Sequence, residues 1–479
     1  MSGTGGSGSG HGAVDIEDPC LAQAGFGESH PFRVRASAGT VPDTCWVSTS
    51  QARCGGGAAL AQVSTRLANP SVLWIDDASE PKVTRSGSIG ASGTARTTEP
   101  HTRPMKVVHI AAPGPFGVGG AESVLLGLAL GLHRRGADVS VAAVVNSNPD
   151  EHSVLRTLRE EGVPVSPILV PRRGYLQERR EVRRLLQMSR PEIVHTHGYR
   201  TDLLDSGIAR RLGIPTVTTV HGSSQMSWRT AVYEALQFRL LRRFQAVVCV
   251  SRPLVAAVRR ARVPPERIRL VPNAWDGRFR PQPRVEARNA LGLPLDAFVV
   301  GWVGRLIPVK GCDVFLRAVN ELRDLPVHAS IIGGGPEQER LNSMIGEPGM
   351  RARVHFHGYR DAAATFFPAF DVWVLSSRSE GTPMVLFEAM AAGVPIVATD
   401  VGGVSDIVSE AEACLVPPED PVALAACLRD IHSGRLRTRE RVEAARRRLA
   451  KHFGTEQWIE RYVEVYRSLL RDNVPVGCR

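Results

Sequence analysis

The chain has 479 residues, 43% apolar and 22% charged, which is globular in composition and long enough for two or three domains of ~150 residues. Its net charge of +11 lies outside residues 1–104, since residues 105–479 carry +12. No apolar run approaches the ~18 residues of a membrane span, and the eight cysteines form no Cys-x-x-Cys pair, which argues against a zinc ribbon or a disulfide framework and for reduced thiols.

Residues 1–104 are rich in Gly, Ser, Thr and Ala without sustained periodicity and read as a disordered low-complexity segment. The opening MSGTGGSGSGHG has no apolar core of a secretory signal, so a cytoplasmic location is expected.

From Met105 the pattern changes. Apolar runs at Met105–Ala112, Val139–Val145, Val165–Val170, Ile193–Thr196, Thr216–Val220, Ala246–Val250 and Ile268–Val271 predict strands separated by helical stretches. Trp228, Val232, Leu236 and Leu240 recur on one helix face. A Pro- and Gly-rich break falls near 274–296. The alternation then restarts at Phe298–Val303, His328–Ile332, Val354–Phe356, Val372–Leu375, Ile396–Ala398 and Ala413–Val416. Short strands alternating with helices predict two Rossmann-like, doubly wound parallel sheets. The expected boundaries are a first domain at 105–274, a linker at 275–296 and a second domain at 297–454, with an amphipathic helix at 455–471.

Ligands of such sheets sit beyond the carboxyl ends of the strands. The first such loop, Gly117-Val118-Gly119-Gly120-Ala121-Glu122, is not a dinucleotide fingerprint, because Glu122 stands where the third glycine belongs. No G-x-x-x-x-G-K-[ST] phosphate loop exists either, which disfavours a nucleotide triphosphatase. Arg305 and Lys310 follow a strand and precede a helix. Cations are electrostatically misplaced at a helix start unless an anion joins them, so the two fit a diphosphate clamp.

The sharpest segment is Glu380-Gly381-Thr382-Pro383-Met384-Val385-Leu386-Phe387-Glu388. Pro383 suits a helix start, which puts Glu380 in the loop and Glu388 about two turns into the helix. Up to ~12 Å then separates the carboxylates axially, too far for acid and nucleophile on one bond but right for the two ends of a long ligand. The alternative for Glu388 is a salt-bridged core glutamate. His221 ends a first-domain strand and faces the cleft. His195 and His197 share a strand face, which permits metal binding, but no third ligand is evident, and polar loop histidines are the expectation. No Asp-x-Asp pair is present to hold a metal on a diphosphate, so Arg305 and Lys310 would replace its charge and no metal cofactor is expected.

The segment Glu380 to Glu388 resembles the E-x7-E motif, in its E-G-x-P form, of the retaining glycosyltransferases of family 4. Gly119 to Glu122, Val271-Pro272-Asn273, Gly304-Arg305 with Lys310-Gly311, Gly333-Gly334-Gly335-Pro336 and Ala391 to Val397 resemble that family's landmarks, in its order, over residues 105–471. The resemblance implies a GT-B fold and metal-independent transfer with retention at the anomeric carbon. It implies that His221 and Glu380 act at the reacting sugar, with Gly381, Thr382, Pro383 and Met384 lining the sugar site. Arg305 and Lys310 would bind the diphosphate, Gly120 would lie near phosphate or acceptor, Glu388 would contact the ribose, and Tyr359 and Arg360 would border the base. It also implies that the last helix crosses back to the first domain. The family's usual glycine is replaced by Met384, and its P-N-G by Pro272-Asn273-Ala274.

The expected donor is a UDP-, GDP- or ADP-sugar and the expected acceptor a glycan or lipid-linked molecule in bacterial polysaccharide or glycolipid assembly. Alternatives on the same architecture are a sugar-nucleotide epimerase, a phosphorylase or an inactive nucleotide-sugar-binding subunit. Arginines 172, 173, 179, 180, 183 and 184, with 239, 242 and 243, suggest peripheral contact with an anionic membrane. Aromatics make up only 6% and form no stacking platform in the sequence, so no nucleic-acid partner is expected.

Overall fold

The computed structural model describes residues 104–113, 119–222, 228–277, 279–360 and 362–472. The expectation for residues 1–104 therefore lies outside the described residues, apart from Pro104. The first lobe contains β1 (Lys106–Ala111), α1 (Gly120–Arg134), β2 (Asp138–Val145), α2 (Ser153–Glu160), β3 (Val165–Leu169), α3 (Tyr175–Ser189) and β4 (Ile193–His197). It continues with α4 (Tyr199–Leu204), α5 (Ser206–Arg211), β5 (Thr216–Val220), α6 (Trp228–Leu240), β6 (Ala246–Cys249), α7 (Arg252–Arg260) and β7 (Ile268–Leu270). All pairings are parallel, in the order β3-β2-β1-β4-β5-β6-β7.

The second lobe repeats the plan. It contains α8 (Arg284–Ala290), β8 (Phe298–Val303), α9 (Cys312–Asn320), β9 (Val327–Ile332), α10 (Gln338–Met344), α11 (Pro348–Arg351), β10 (Val354–Phe356) and β11 (Val372–Leu375). Then follow α12 (Met384–Ala392), β12 (Ile396–Thr399), α13 (Val404–Ile407), β13 (Cys414–Val416), α14 (Pro421–His432) and α15 (Thr438–His452). Its sheet runs β10-β9-β8-β11-β12-β13, again all parallel. Both sheets thus reverse strand order between their first and fourth strands. These switch points, β1/β4 and β8/β11, are where a doubly wound sheet opens a crevice for a ligand.

The last helix, α16 (Thr455–Asp472), lies on the first lobe against α1. Its Trp458, Ile459, Tyr462, Val463, Tyr466 and Leu469 join the apolar cluster that holds Leu125, Leu128 and Leu132. The spacing of three and four residues gives one apolar stripe, which α1 and the ends of the central strands cover. In the stretch 275–296, read from sequence as a linker, α8 contributes Ala287 to the core of the second lobe, followed by Leu291 and Leu293.

One further feature differs from the sequence reading. Cys414 and Cys427 are disulfide-bonded, so this pair is not reduced. The chain returns from β13 through α14 and sets the two side chains opposite each other, which local spacing does not signal. Cys249 and Cys312 are free and buried. The Val232 and Leu236 stripe of α6 is not core, being 50% and 43% exposed. The helix instead turns Gln237 inward, where its amide donates to buried Asp202 at 2.6 Å.

Candidate functional site

The second lobe supplies most of the predicted ligands from three adjacent loops. The Gly304–Leu306 turn after β8 is knitted to the Gly333–Gly335 loop after β9. Gly304 N–H donates to Ile332 O at 3.0 Å and Leu306 N–H to Gly334 O at 2.9 Å. Gly333 N–H in turn donates to Gly358 O at 2.8 Å, which draws in the loop carrying Tyr359 and Arg360. Tyr359 is 56% exposed, and Arg360 is exposed beside it. The Arg305 side chain is exposed and makes no hydrogen bond or ion pair to a described residue.

Lys310 is engaged. Its Nζ donates to both oxygens of Glu380, at 2.7 and 2.8 Å, and Ser377 Oγ donates to Glu380 Oε1 at 2.6 Å. The Glu380 carboxylate is 5% exposed, so its charge is balanced in place by a charge-assisted pair. The cation assigned to a diphosphate and the carboxylate assigned to a sugar are therefore one unit in this conformation. Sequence separation hid this. The loops after β8 and β11 meet because those strands are neighbours in the sheet.

The Glu380–Met384 loop touches the first lobe directly. A Cβ on Gly381 would overlap the main-chain carbonyl of His221, and one on Gly222, at φ +106°, would lie 3.2 Å from Gly381 N. Glycine on both sides allows the two backbones to meet. Thr382 Oγ1 donates to Val250 O at 2.6 Å, and Arg252 N–H donates to Asp406 Oδ2 at 2.7 Å. Met384 lies against Gly120 at the start of α1, where a Cβ would come within 3.6 Å of Met384 Cγ. Met384, Pro383 and Gly120 thus stand together across the cleft, Pro383 being buried.

Because α12 begins at Met384, Glu388 sits little more than one turn in, not two. No hydrogen bond reaches its carboxylate from the described residues. Burial, and then the negative charge of Asp276, raise its pKa to about 7. Asp276 escaped the sequence reading; its only signal is its place just after the Pro272-Asn273 landmark.

His221 belongs to a histidine group. In-register pairing of β1 with β4 sets His109 beside His195, and His197 lies two residues on, on the same face. His109 is the third histidine that spacing along one strand could not reveal. Nitrogens of His109, His195 and His197 lie within 4.8 Å of one another, a spacing that admits a metal ion. Hydrogen bonds already occupy several of them. His109 Nδ1 and His197 Nε2 share one of 3.0 Å, and His195 bonds Tyr466 OH at 2.7 Å and Thr219 Oγ1 at 2.9 Å. The His197 ring stacks on His221 with centroids 6.1 Å apart. Burial drives the pKa of His221 down to about 4 and that of His109 to about 3, so both are neutral near pH 7. Among the described residues, His221 Nε2 is buried without a partner.

Two sheets with matched switch points, facing across a cleft that one lobe fills with a glutamate-lysine loop and the other with a histidine, define a GT-B glycosyltransferase. Comparison with known proteins agrees. Residues 118–277 match the model of Glycosyltransferase Family 4, and residues 297–433 that of Glycosyl transferases group 1. The chain is 33% identical over 303 residues to the 2-deoxystreptamine N-acetyl-D-glucosaminyltransferase of Streptomyces fradiae, covering 58% of this chain and 71% of that protein. It is 28% identical over 430 residues to the D-inositol 3-phosphate glycosyltransferase of Acidothermus cellulolyticus, covering 81% of this chain and 94% of that protein. The structure of Anabaena HepE in complex with UDP-glucose shares its fold, with a TM-score of 0.66 at 20% identity over 76% of this chain and 100% of HepE. The chain belongs to the glycosyltransferases of family 4.

Proposed function

We propose that the protein transfers a hexosyl group from a UDP-sugar to a glycan or lipid-linked acceptor, with retention at the anomeric carbon and without a metal ion, in bacterial polysaccharide or glycolipid assembly. The observation that carries this reading is the Glu380 loop, pinned by Lys310 and Ser377 and seated under His221. UDP is favoured as the leaving group because the HepE structures hold UDP, UDP with glucose, and UDP-glucose.

Each side chain then has a physical task. Arg305 brings an unengaged guanidinium, a planar fork that matches phosphate oxygens. Lys310 has three donors, two of them on Glu380, and can turn the third toward the same diphosphate. Charge that builds on the departing diphosphate is met by these two cations in a site already organised. Glu380, fixed by its partners, accepts hydrogen bonds from sugar hydroxyls. Glu388 takes ribose hydroxyls, and Tyr359 and Arg360 border the base. His221, neutral and with a free nitrogen, exchanges a hydrogen bond with the transferred sugar and does not act as a cation. The exposed arginines of α3, with Arg172 and Arg173, suit peripheral contact with an anionic membrane carrying a lipid-linked acceptor. No helix among the described residues is long and apolar enough to cross one.

The test uses acceptor-free hydrolysis of UDP-, GDP- and ADP-glucose in EDTA, followed by proton NMR. Release of UDP with α-glucose appearing before β-glucose is expected, and His221→Ala should lower kcat strongly while leaving the Kd for UDP unchanged. First appearance of β-glucose would contradict retention, and loss of activity in EDTA restored by a divalent ion would contradict metal independence.

A further inference from the structure

Three of the chain's six tyrosines gather on the first lobe. Tyr175 opens α3 and Tyr199 opens α4, while Tyr233 lies in the first half of α6. The three helices follow β3, β4 and β5, so every ring is carried past the carboxyl end of a strand, the edge on which His221 also lies.

The rings form one braced surface. Tyr199 and Tyr233 stack with centroids 5.8 Å apart and planes 13° apart. Tyr175 lies beside Tyr233, which raises the pKa of the Tyr175 hydroxyl. The Arg200 guanidinium lies over the Tyr175 ring, 5.2 Å from its centroid, and is held there by an ion pair with the fully buried carboxylate of Glu178. Despite this bracing the rings stay open, with Tyr175, Tyr199 and Tyr233 exposed by 37%, 36% and 41%.

The surface stands close to the transfer site. His197, whose ring stacks on His221, is followed by Gly198 and then Tyr199. Two Cα steps of ~3.8 Å put the start of the platform within about 8 Å of His197 along the chain. On the other lobe the same opening holds the donor loop at Gly381.

We propose that Tyr175, Tyr199 and Tyr233 form the acceptor subsite, which receives a pyranose ring of a carbohydrate acceptor against the Tyr199–Tyr233 pair. A pyranose presents a face of weakly positive C–H bonds edged by hydroxyls. Tyrosine faces are electronegative, and phenol hydroxyls both donate and accept. The three tyrosines therefore meet both halves of a sugar's surface, where an alkyl chain would use only one. This inference rests on the glycosyl-transfer reading and adds the chemical class of the acceptor.

The experiment measures UDP release from UDP-glucose with the methyl glycosides of glucose, galactose, mannose and N-acetylglucosamine as probes. The wild-type chain is compared with Tyr199→Ala, Tyr233→Ala and Tyr199→Phe. At least one glycoside should raise release above the acceptor-free rate. Its KM should rise about tenfold in the alanine variants, the equivalent of one lost stacking contact of ~1.4 kcal/mol, and return toward wild type in Tyr199→Phe. Acceptor-free hydrolysis and UDP affinity should stay unchanged in all three. The platform is overturned if the alanine variants keep the wild-type acceptor KM, if they lose UDP affinity and thermal stability together, or if no glycoside accelerates release while UDP-glucose is still hydrolysed. A wild-type chain that neither binds UDP nor releases it would sink the donor reading itself, and this inference with it.

Discussion

Glu388 and the histidines pull stability in opposite directions as pH changes. The Glu388 pKa is raised from 4.5 to about 7 in the folded chain, so the folded state holds more protons across that window. Stability from this group is present below pH 4.5 and is lost as pH rises toward 7. His109 and His221 are depressed to about 3 and 4, so the unfolded chain holds more protons between those values and 6.5. Their contribution is full above 6.5 and is lost as pH falls. His195 and His197 are shifted the same way by burial and by their neighbours' charges. The glutamate's own slope is best read between pH 7 and 8, where the unfolded histidines have mostly given up their protons while folded Glu388 is still losing its own. Melting curves should show Glu388→Gln losing less stability than wild type over pH 6 to 8, and parallel curves would remove Glu388 from this role. None of this was legible from sequence, because it depends on Asp276 approaching α12 and on β1 pairing in register with β4.

At the scale of elements the sequence was a good guide where burial is two-sided. Every described strand begins within one residue of the apolar run that marked it, because parallel strands covered on both faces read as continuous apolar segments. One-sided elements were harder. The Val232–Leu236 face of α6 has the spacing of a core stripe, yet the core side of the helix is set by the polar Gln237–Asp202 contact. In α16 the apolar stripe is core, and two of its tyrosines also reach polar partners. Tyr466 OH bonds His195 at 2.7 Å, and Tyr462 OH bonds Thr219 at 3.3 Å. Tyr466→Phe leaves His195 Nδ1 buried and unpaired, which costs about 1–3 kcal/mol. Tyr462→Phe breaks a longer contact to a hydroxyl that still bonds His195, and it should cost less. Urea unfolding of the two variants checks the order, and equal or reversed losses would show that the histidine group does not depend on α16.

Across the whole molecule, the chain passes between lobes twice at one place. Trp275 N–H donates to Phe453 O at 2.9 Å and Thr455 Oγ1 donates to Trp275 O at 3.0 Å, so the outgoing and returning strands are tied together. Away from this tie the lobes meet at Gly222–Gly381, Thr382–Val250 and Arg252–Asp406. These contacts seat the Glu380–Met384 loop of the second lobe under His221 of the first, where the proposed donor would lie. The motif Glu380 to Glu388 was legible because chain spacing alone fixes its loop-then-helix form. The Lys310–Glu380 pair and the tyrosine platform were not, since each joins loops distant in sequence. The central claim is that the two glutamates hold different ends of one nucleotide-sugar. Calorimetric titration with UDP tests it most directly, because UDP keeps the ribose and lacks the sugar. Glu388→Gln should weaken UDP by up to about a hundredfold, the loss of one or two charged hydrogen bonds, while Glu380→Gln, which releases Lys310 from its partner, should bind UDP at least as tightly as wild type and lose transfer. Lost UDP affinity in Glu380→Gln with retained affinity in Glu388→Gln would contradict the account.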